Sequence, residues 1–362
     1  MIRTYKRKLI LTQEQANRIR SWIGACRVVY NLGLEVKQAS YAATGKSIKK
    51  YDLINQLPEL KKAVDWMADV PAQSLQAALE RLEISYQNFF RNFKQGGGFP
   101  KFASKRFFKS MHFKAVKVEG NAVILPKIGK LKIFKDTAIV GKPKTATVVI
   151  EPAGFFICIQ CEEVPKKFNS ESQAVGLDMG IVHFCIDSKG GFIENPRHFK
   201  DCERRLRLAN RSLARKKKGS NAWQKQAQQL SRLHYKIANV RKDFLHKEST
   251  KLAKQYSVVY MEDLKIKNMV RNKNLSKHIL DCGWGMFKTM LEYKTKVVKI
   301  DPKYTSQRCF ACGKVDKANR LTQAEFLCIA CGHQEHADVN AAKNILSAGC
   351  ALVRQRETLV CA

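Results

Sequence analysis

Cys309-x-x-Cys312, fifteen residues, and then Cys328-x-x-Cys331 dictate the local fold late in this chain. Two such pairs bring four thiolates to the corners of a tetrahedron, the closed donor set of a structural zinc, with no position left for water. Gly313 and Gly332 each follow the second cysteine of their pair. Four unrelated cysteines would not share both the spacing and the glycines. About thirty residues around them carry too little core to fold alone, so the metal would supply the folding energy. The other cysteines are scattered, which in a chain of 362 residues points to a reducing compartment instead of a disulfide scaffold.

Charge fixes the class of partner. Lys and Arg number 66 against 31 Asp and Glu, a formal charge of +35. A lone globule so charged would repel itself, and the usual counterpart is a polyanion. With 45% hydrophobic residues the chain builds real cores, which excludes global disorder. No uncharged apolar run approaches the roughly 18 residues of a membrane span. The basic start Met1–Lys8 is followed by no apolar stretch of signal-peptide length. The expectation is a soluble, cytoplasmic nucleic-acid protein, with no membrane partner.

Along the chain, the first ten residues read as a basic strand or arm. Thr12-Gln13-Glu14-Gln15 is a capping box, and Ala16, Ile19, Ile23, Cys26 and Tyr30 follow at helical spacing. A second helix starts near Ala72, with Leu75, Leu79, Leu82, Tyr86, Phe89 and Phe93 on one stripe, and stops at Gly96-Gly97-Gly98. Short strands are expected at Val116–Val118, Ala122–Leu125, Lys130–Phe134, Thr147–Ile150 and Phe155–Cys161, separated by turn residues. Pro165 to Gln173 reads as a linker. Strands follow at Ala174–Asp178, Ile181–Asp187 and Phe192–Ile193. A polar, basic helical stretch occupies 195–255, then a strand at Ser257–Met261, a helix at Trp284–Tyr293, a strand at Val297–Ile300 and a last helix from Asp338.

Asp178 and Glu262 each sit at the end of an apolar strand, and Asp338 opens a helix. Carboxylates from adjacent strand ends, joined by one from a nearby helix, can hold two magnesium ions that clamp both reacting oxygens of a phosphodiester. Each acid alone is equally a solvated loop residue or a helix cap. Their order, strand–acid, strand–acid, helix–acid, raises the joint reading. Arg204, Arg205, Arg207, Arg211, Arg215, Lys216, Lys217 and Lys218 place eight cations in fifteen residues with no acid. Uncompensated like charges weaken a helix, so a phosphate partner is expected there rather than a merely solvated face. Lys101, Lys105 and Arg106 lie in an aromatic–basic stretch, Phe99 to Lys109, where base stacking competes with a plain core role for Phe107 and Phe108. Cys158 and Cys161 fall on a strand and face opposite ways, so both are structural. The histidines show no ligand spacing, and no Walker or Rossmann fingerprint is present.

Gly176-Leu177-Asp178-Met179-Gly180, Glu262-Asp263-Leu264-Lys265-Ile266-x-Asn268-Met269, Tyr304-Thr305-Ser306-Gln307-x-Cys309 and Asp338-x-Asn340-Ala341-Ala342-x-Asn344-Ile345 together resemble the transposon-encoded TnpB (OrfB) family. Arg27-Val28-Val29-Tyr30-Asn31 and Gly98-Phe99-Pro100-Lys101-Phe102 extend the resemblance to nearly the whole chain. The resemblance implies an α/β multidomain protein. A helical recognition domain at 11–104 would sit with a small β-barrel wedge domain at 1–10 and 105–165. A ribonuclease H-like (RuvC) nuclease domain at 172–302 would resume at 336–350, with the zinc ribbon at 303–335 inserted and a tail at 351–362. It implies Asp178, Glu262 and Asp338 as catalytic magnesium ligands, and Cys309, Cys312, Cys328 and Cys331 as zinc ligands. It further implies a monomer that carries one guide RNA from the transposon end and cleaves double-stranded DNA beside a short adjacent motif, in a bacterial or archaeal nucleoid. Guide–target pairing would carry the specificity. A guided DNA-binding repressor, a conventional transposase and a miniature CRISPR effector are the competing readings. The three intact acids speak against the repressor. One stretch departs from the family pattern: helix 284–293 runs through Lys294-Thr295-Lys296 into a strand without Gly, Pro or Asn to make the turn.

Overall fold

A computed structural model of the chain describes residues 2–134, 137–163 and 173–360; of the expected linker from Pro165 to Gln173, all but Gln173 lies outside the described residues. Residues 1–165 and 166–362 form two compact units. Among the described residues no helix is long and apolar enough to cross a membrane.

The first unit starts with β1 (Ile2–Ile10) and α1 (Gln13–Thr44), followed by α2 (Lys50–Asn55), α3 (Leu57–Ala63), α4 (Asp65–Ala68) and α5 (Ala72–Asn92). Six strands complete it: β2 (Ser110–Phe113), β3 (Lys117–Glu119), β4 (Ala122–Leu125), β5 (Gly129–Ile133), β6 (Lys142–Glu151) and β7 (Gly154–Glu162). Thr12 caps α1 through the expected capping box. The sheet order is β2-β6-β7-β1-β5-β4-β3. β1 is shared between its halves: Ile2 to Lys8 pair with β7, and Leu9 and Ile10 with β5. Trp22, Leu34, Leu75 and Leu82 from the helices and Phe113, Val148, Ile157 and Ile159 from the strands lie in one buried cluster. Helices and sheet therefore share a core. The alternation of β7 buries Cys161 beside Ile157 and Ile159 and turns Cys158 to the other face, which excludes a metal knuckle there.

The second unit holds β8 (Ala174–Met179), β9 (His183–Asp187), β10 (Phe192–Glu194), α6 (His198–Ala214), α7 (Asn221–Gln255), β11 (Val258–Glu262), α8 (Ile266–Met269), α9 (Lys273–Cys282), α10 (Trp284–Glu292) and β12 (Lys296–Ile300). It ends with a small hairpin, β13 (Glu325–Leu327) and β14 (Gln334–His336), and α11 (Ala337–Val360). Residues set apart as a tail from 351 continue α11 to Val360. The five-stranded order is β10-β9-β8-β11-β12, with β8, β11 and β12 parallel, β9 antiparallel to β8, and β10 antiparallel to β9.

Period-two alternation gives this sheet two different faces. Val175, Leu177, Met179, Val259 and Met261 pack with Leu245, Leu252, Trp284 and Phe287 of α7 and α10. Tyr260 packs instead with Ile345 of α11. The α11 face allows no bulk at two points. A β-carbon on Gly176 would lie 2.2 Å from the Ala342 carbonyl oxygen, and one on Gly349 would lie 2.0 Å from the Tyr260 ring. Gly176→Ala should therefore cost about 3 kcal/mol, the upper range for overpacking; urea denaturation checks it, and an unchanged midpoint would contradict the close approach.

The junction that lacked a turn residue is closed by hydrogen bonds. The Lys294 and Thr295 N–H groups both donate to the Leu291 carbonyl at 2.8 Å. The Thr295 hydroxyl donates to the carbonyls of Tyr256 and Ser257, and the Lys294 ammonium to Ser249, Thr250 and the His246 carbonyl. Burial among these groups lowers Lys294 to about 8.

Candidate active site and metal centre

The strand register brings the first two acids together. Met261 pairs with Leu177 on the parallel neighbour, so the next residues, Glu262 and Asp178, stand at the same level. Asp178 follows Gly176 by two positions and therefore faces α11. Ala342 of α11 lies over Gly176. Four residues back along the helix is about 6 Å, and two residues forward along the strand is about 6.6 Å. Asp338 consequently starts α11 beside the strand ends, in a first turn where the helix dipole favours an anion. Three acids remote in sequence meet because one helix runs back over two parallel strands. Strand carboxyl ends are where open α/β sheets place their sites.

Their electrostatics are coupled. Burial, and then the charges of Glu262 and Asp338, push Asp178 up to about 8; Arg320 and the Met179 backbone oppose the shift. Burial also raises Glu262, against a hydrogen bond from Thr305. The Thr305 hydroxyl donates to Glu262 Oε1 at 2.5 Å, and Arg320 reaches Asp338 Oδ1 at 2.8 Å. Sequence reading missed both partners: Thr305 lay inside a recognised motif but carried no role, and Arg320 gave no signal. Each acid has its own donor, and among the described residues the three do not close into the tight ligand group that the cysteines form.

The four cysteines do close. Cys309 and Cys331 sulfurs are 3.7 Å apart, and Cys312 and Cys328 3.6 Å. A tetrahedron with Zn–S bonds of about 2.3 Å has S···S edges of about 3.8 Å, so the thiols fit a zinc ion. The two knuckles have the same backbone: Gly313 N–H donates to the Cys309 carbonyl and Gly332 N–H to the Cys328 carbonyl, both at 2.9 Å. Both glycines are left-handed, with φ of 78° and 72°, which explains their place after each pair. Buried Asn319 joins the knuckles, donating to the Gln307 and Lys314 carbonyls and accepting from Ile329 N–H. Asn340 and Asn344 of α11 hold the ribbon from below. Asn340 accepts from Phe310 N–H and donates to the Arg308 carbonyl, and Asn344 donates to the carbonyls of Thr305 and Arg308. The ribbon and Asp338 thus share the first turns of one helix.

The structure separates the predicted basic residues. Arg204, Arg205, Arg207 and Arg211 lie exposed on α6, whereas Arg215, Lys216, Lys217 and Lys218 follow its end, so the run is not one helix face. Arg207 is also less uncompensated than expected, because Glu203 lies 3.8 Å away one turn earlier. Lys101, Lys105 and Arg106 are exposed on a loop that Asn31 of α1 clamps, exchanging hydrogen bonds with Ala103. Phe108 is buried against Tyr30 and belongs to the core, while Phe107 is 78% exposed.

A mixed α/β chain of two units, with a four-cysteine ribbon seated beside a three-carboxylate site, defines the class. Residues 156–273 match the family profile described as "Probable transposase" (OrfB of IS605), residues 284–345 the Cas12f1-like TNB domain, and residues 1–46 a profile described as a helix-turn-helix domain. In the structure that last segment is a strand and one 32-residue helix. The chain is 35% identical over 378 residues to InsQ of Escherichia coli (strain K12), named as an RNA-guided DNA endonuclease, covering 97% of this chain and 93% of InsQ. A protein of Streptomyces pristinaespiralis with the same kind of name is 31% identical over 96% of this chain and 90% of its own. The chain belongs to the TnpB (OrfB) family. Among solved structures it is similar to Cas12f1 in a complex with sgRNA and target DNA, with a TM-score of 0.54 at 14% identity, covering 93% of this chain and 83% of that one. The mini-RNA-guided endonuclease Cas_phi3 gives the same score at 10% identity, over 96% and 92%.

Proposed function

We propose that this chain is an RNA-guided, metal-dependent DNA endonuclease that binds a guide RNA from the transposon end and hydrolyses both strands of DNA beside a short adjacent motif. The observation that carries it is the meeting of Asp178, Glu262 and Asp338 at the strand ends beneath a full-length likeness to proteins named for this activity. The sheet order, with three antiparallel strands leading into two parallel ones, supports the ribonuclease H-like (RuvC) assignment for 172–302 and 336–350. The seven-stranded sheet supports the wedge at 1–10 and 105–165, and the helices the recognition domain at 11–104.

Hard oxygen donors of this kind suit Mg2+, and the three carboxylates would hold two ions. When bound, such ions would activate a water and offset the negative charge that builds on the phosphodiester. The chain's own contribution is positional. Thr305 orients the Glu262 carboxylate, the Asn340 and Asn344 bonds fix the helix turn that carries Asp338, and burial keeps bulk water from Asp178. The exposed cations of 204–218, with Lys101, Lys105 and Arg106, would face the phosphates of RNA and DNA.

Thr305→Val should raise the Mg2+ concentration needed for half-maximal cleavage by about tenfold, the low end for a residue that orients a ligand. A magnesium titration of cleavage checks it, and an unchanged curve would free Glu262 from Thr305. The function itself is tested by expressing the protein with its flanking DNA and sequencing the RNA that co-purifies. One structured RNA ending in a variable segment, which then directs Mg2+-dependent cutting of matched DNA, is the expected result. Heterogeneous RNA, or none, would return the +35 charge to DNA alone and favour a conventional transposase.

A further inference from the structure

Three non-glycine residues take a positive φ among the described residues, and Tyr304 is the aromatic one, at 66°. This left-handed conformation is costly for a residue with a bulky side chain and free for glycine. The backbone around it holds the turn. The Tyr304 carbonyl accepts from the Gln307 and Arg308 N–H groups at 3.1 and 3.0 Å. The next residue, Thr305, is buried, bonds Glu262 through its hydroxyl and has its carbonyl bonded by Asn344. None of these bonds uses the tyrosine side chain, which stays 50% exposed. A glycine would make the same turn without strain, so folding does not account for the ring.

Tyr304 stands at the rim of the acid site. β12 runs beside β11 with Ile300 level with Glu262, and Asp263 N–H donates to the Ile300 carbonyl at 2.9 Å. The chain leaves the sheet there, and Tyr304 precedes the residue that holds Glu262. Lys303 adds a charge. Its ammonium lies 5.2 Å from the centre of the Tyr304 ring, and the residue is exposed with no ion pair among the described residues. The lysines that share a cavity with Glu262 are already matched, Lys288 to Asp263 at 2.8 Å and Lys299 to Glu292 at 2.9 Å. An accessible ring beside an unmatched ammonium suits an unpaired nucleotide, whose base stacks while its phosphate meets the cation.

We propose that Tyr304 is a substrate contact of the acid site: its ring packs against a nucleotide of the DNA strand being cut, and Lys303 meets the adjoining phosphate. The inference rests on the nuclease reading, because that strand is what brings a nucleotide to this rim. Bases within a duplex have both faces covered, so the contact is to an unpaired stretch. The strained turn would thus be kept to hold the strand over Glu262.

Stability and cleavage move in opposite directions if this is right. Tyr304→Gly is expected to melt at or above the wild-type temperature, yet to cut guide-matched DNA about tenfold more slowly at subsaturating enzyme, as for one lost stacking contact. Tyr304→Asn, which also tolerates a positive φ, should be equally slow, and Tyr304→Phe should restore the rate to within about twofold. A glycine or asparagine variant that cuts at the wild-type rate, or slows only because it melts early, overturns the proposal. The contact itself is read in EDTA, by irradiating the full chain with a short single-stranded DNA that carries 5-iododeoxyuridine, a base that crosslinks to aromatic side chains. Trypsin cuts after Lys303 and Arg308, and an adduct on the peptide 304–308 is expected in wild type and absent in Tyr304→Gly. No adduct there in wild type overturns the proposal even if guided cleavage is found. The adduct in a chain that cuts no guided DNA supports the contact and removes the nuclease reading instead.

Discussion

Replacing Asp178 by Asn is expected to slow cleavage of a guide-matched plasmid at least about a thousandfold while guide-RNA binding stays within about twofold. Several kcal/mol of transition-state stabilisation passes through metal-holding carboxylates, and each 1.4 kcal/mol is a factor of ten. The same substitution should stabilise the metal-free protein. Asp178 ordinarily titrates near 3.8, and burial beside Glu262 and Asp338 raises it to about 8 in the fold. A raised carboxylate contributes stability that is fully present below the unfolded value and is lost as pH rises through the folded one. The wild-type melting temperature in EDTA should therefore fall between about pH 4 and pH 8, and Asp178→Asn should flatten that fall. Mg2+ should restore the wild type at pH 8 and leave the variant unmoved. A variant that melts early and loses its RNA would make Asp178 a structural residue.

The second large effect concerns zinc. Stripping the ion with a strong chelator, or replacing Cys309 by Ser, should lower cleavage at least about a hundredfold although no carboxylate is touched. Structural zinc contributes about 10–16 kcal/mol in small folded peptides, far more than the ribbon's few buried residues can supply. The buried cluster there is only Cys309, Phe326, Cys328 and Ala337. Its loss would free the Asn340 and Asn344 bonds and withdraw Arg320 from Asp338, leaving the third acid without its support. Hydrogen exchange should show residues 303–335 opening together with the first turns of α11. Full activity in a zinc-free sample would separate the ribbon from the site.

The cysteine cluster was readable because a paired spacing ending in glycine is a local rule, and the acids stood out because Asp178 and Glu262 close apolar strands and Asp338 opens a helix. What was not readable depended on distance. Thr305 finds Glu262 across 43 residues and Arg320 finds Asp338 across 18, and no periodicity announces either. The helices α2 to α4 are four to seven residues long, too short for a stripe to declare itself. β6 begins at Lys142, earlier than the apolar run suggests, because Pro143 and Lys144 enter through a bulge against β7. The Lys294–Thr295 junction shows a limit of turn rules: side chains reaching α7 and the Tyr256–Ser257 carbonyls replace the glycine that the backbone would otherwise need.

The way α11 closes over β8 and β11 also sets when the three acids can come together. Asp178 and Asp338 are supplied from opposite ends of the second unit, and the missing side chains of Gly176 and Gly349 are what let the helix seat this closely. A polypeptide still being made, or one clipped ahead of Asp338, has two carboxylates and an uncovered sheet. The cluster of Asp178, Glu262 and Asp338 is thus completed only once the last helix has been made and seated.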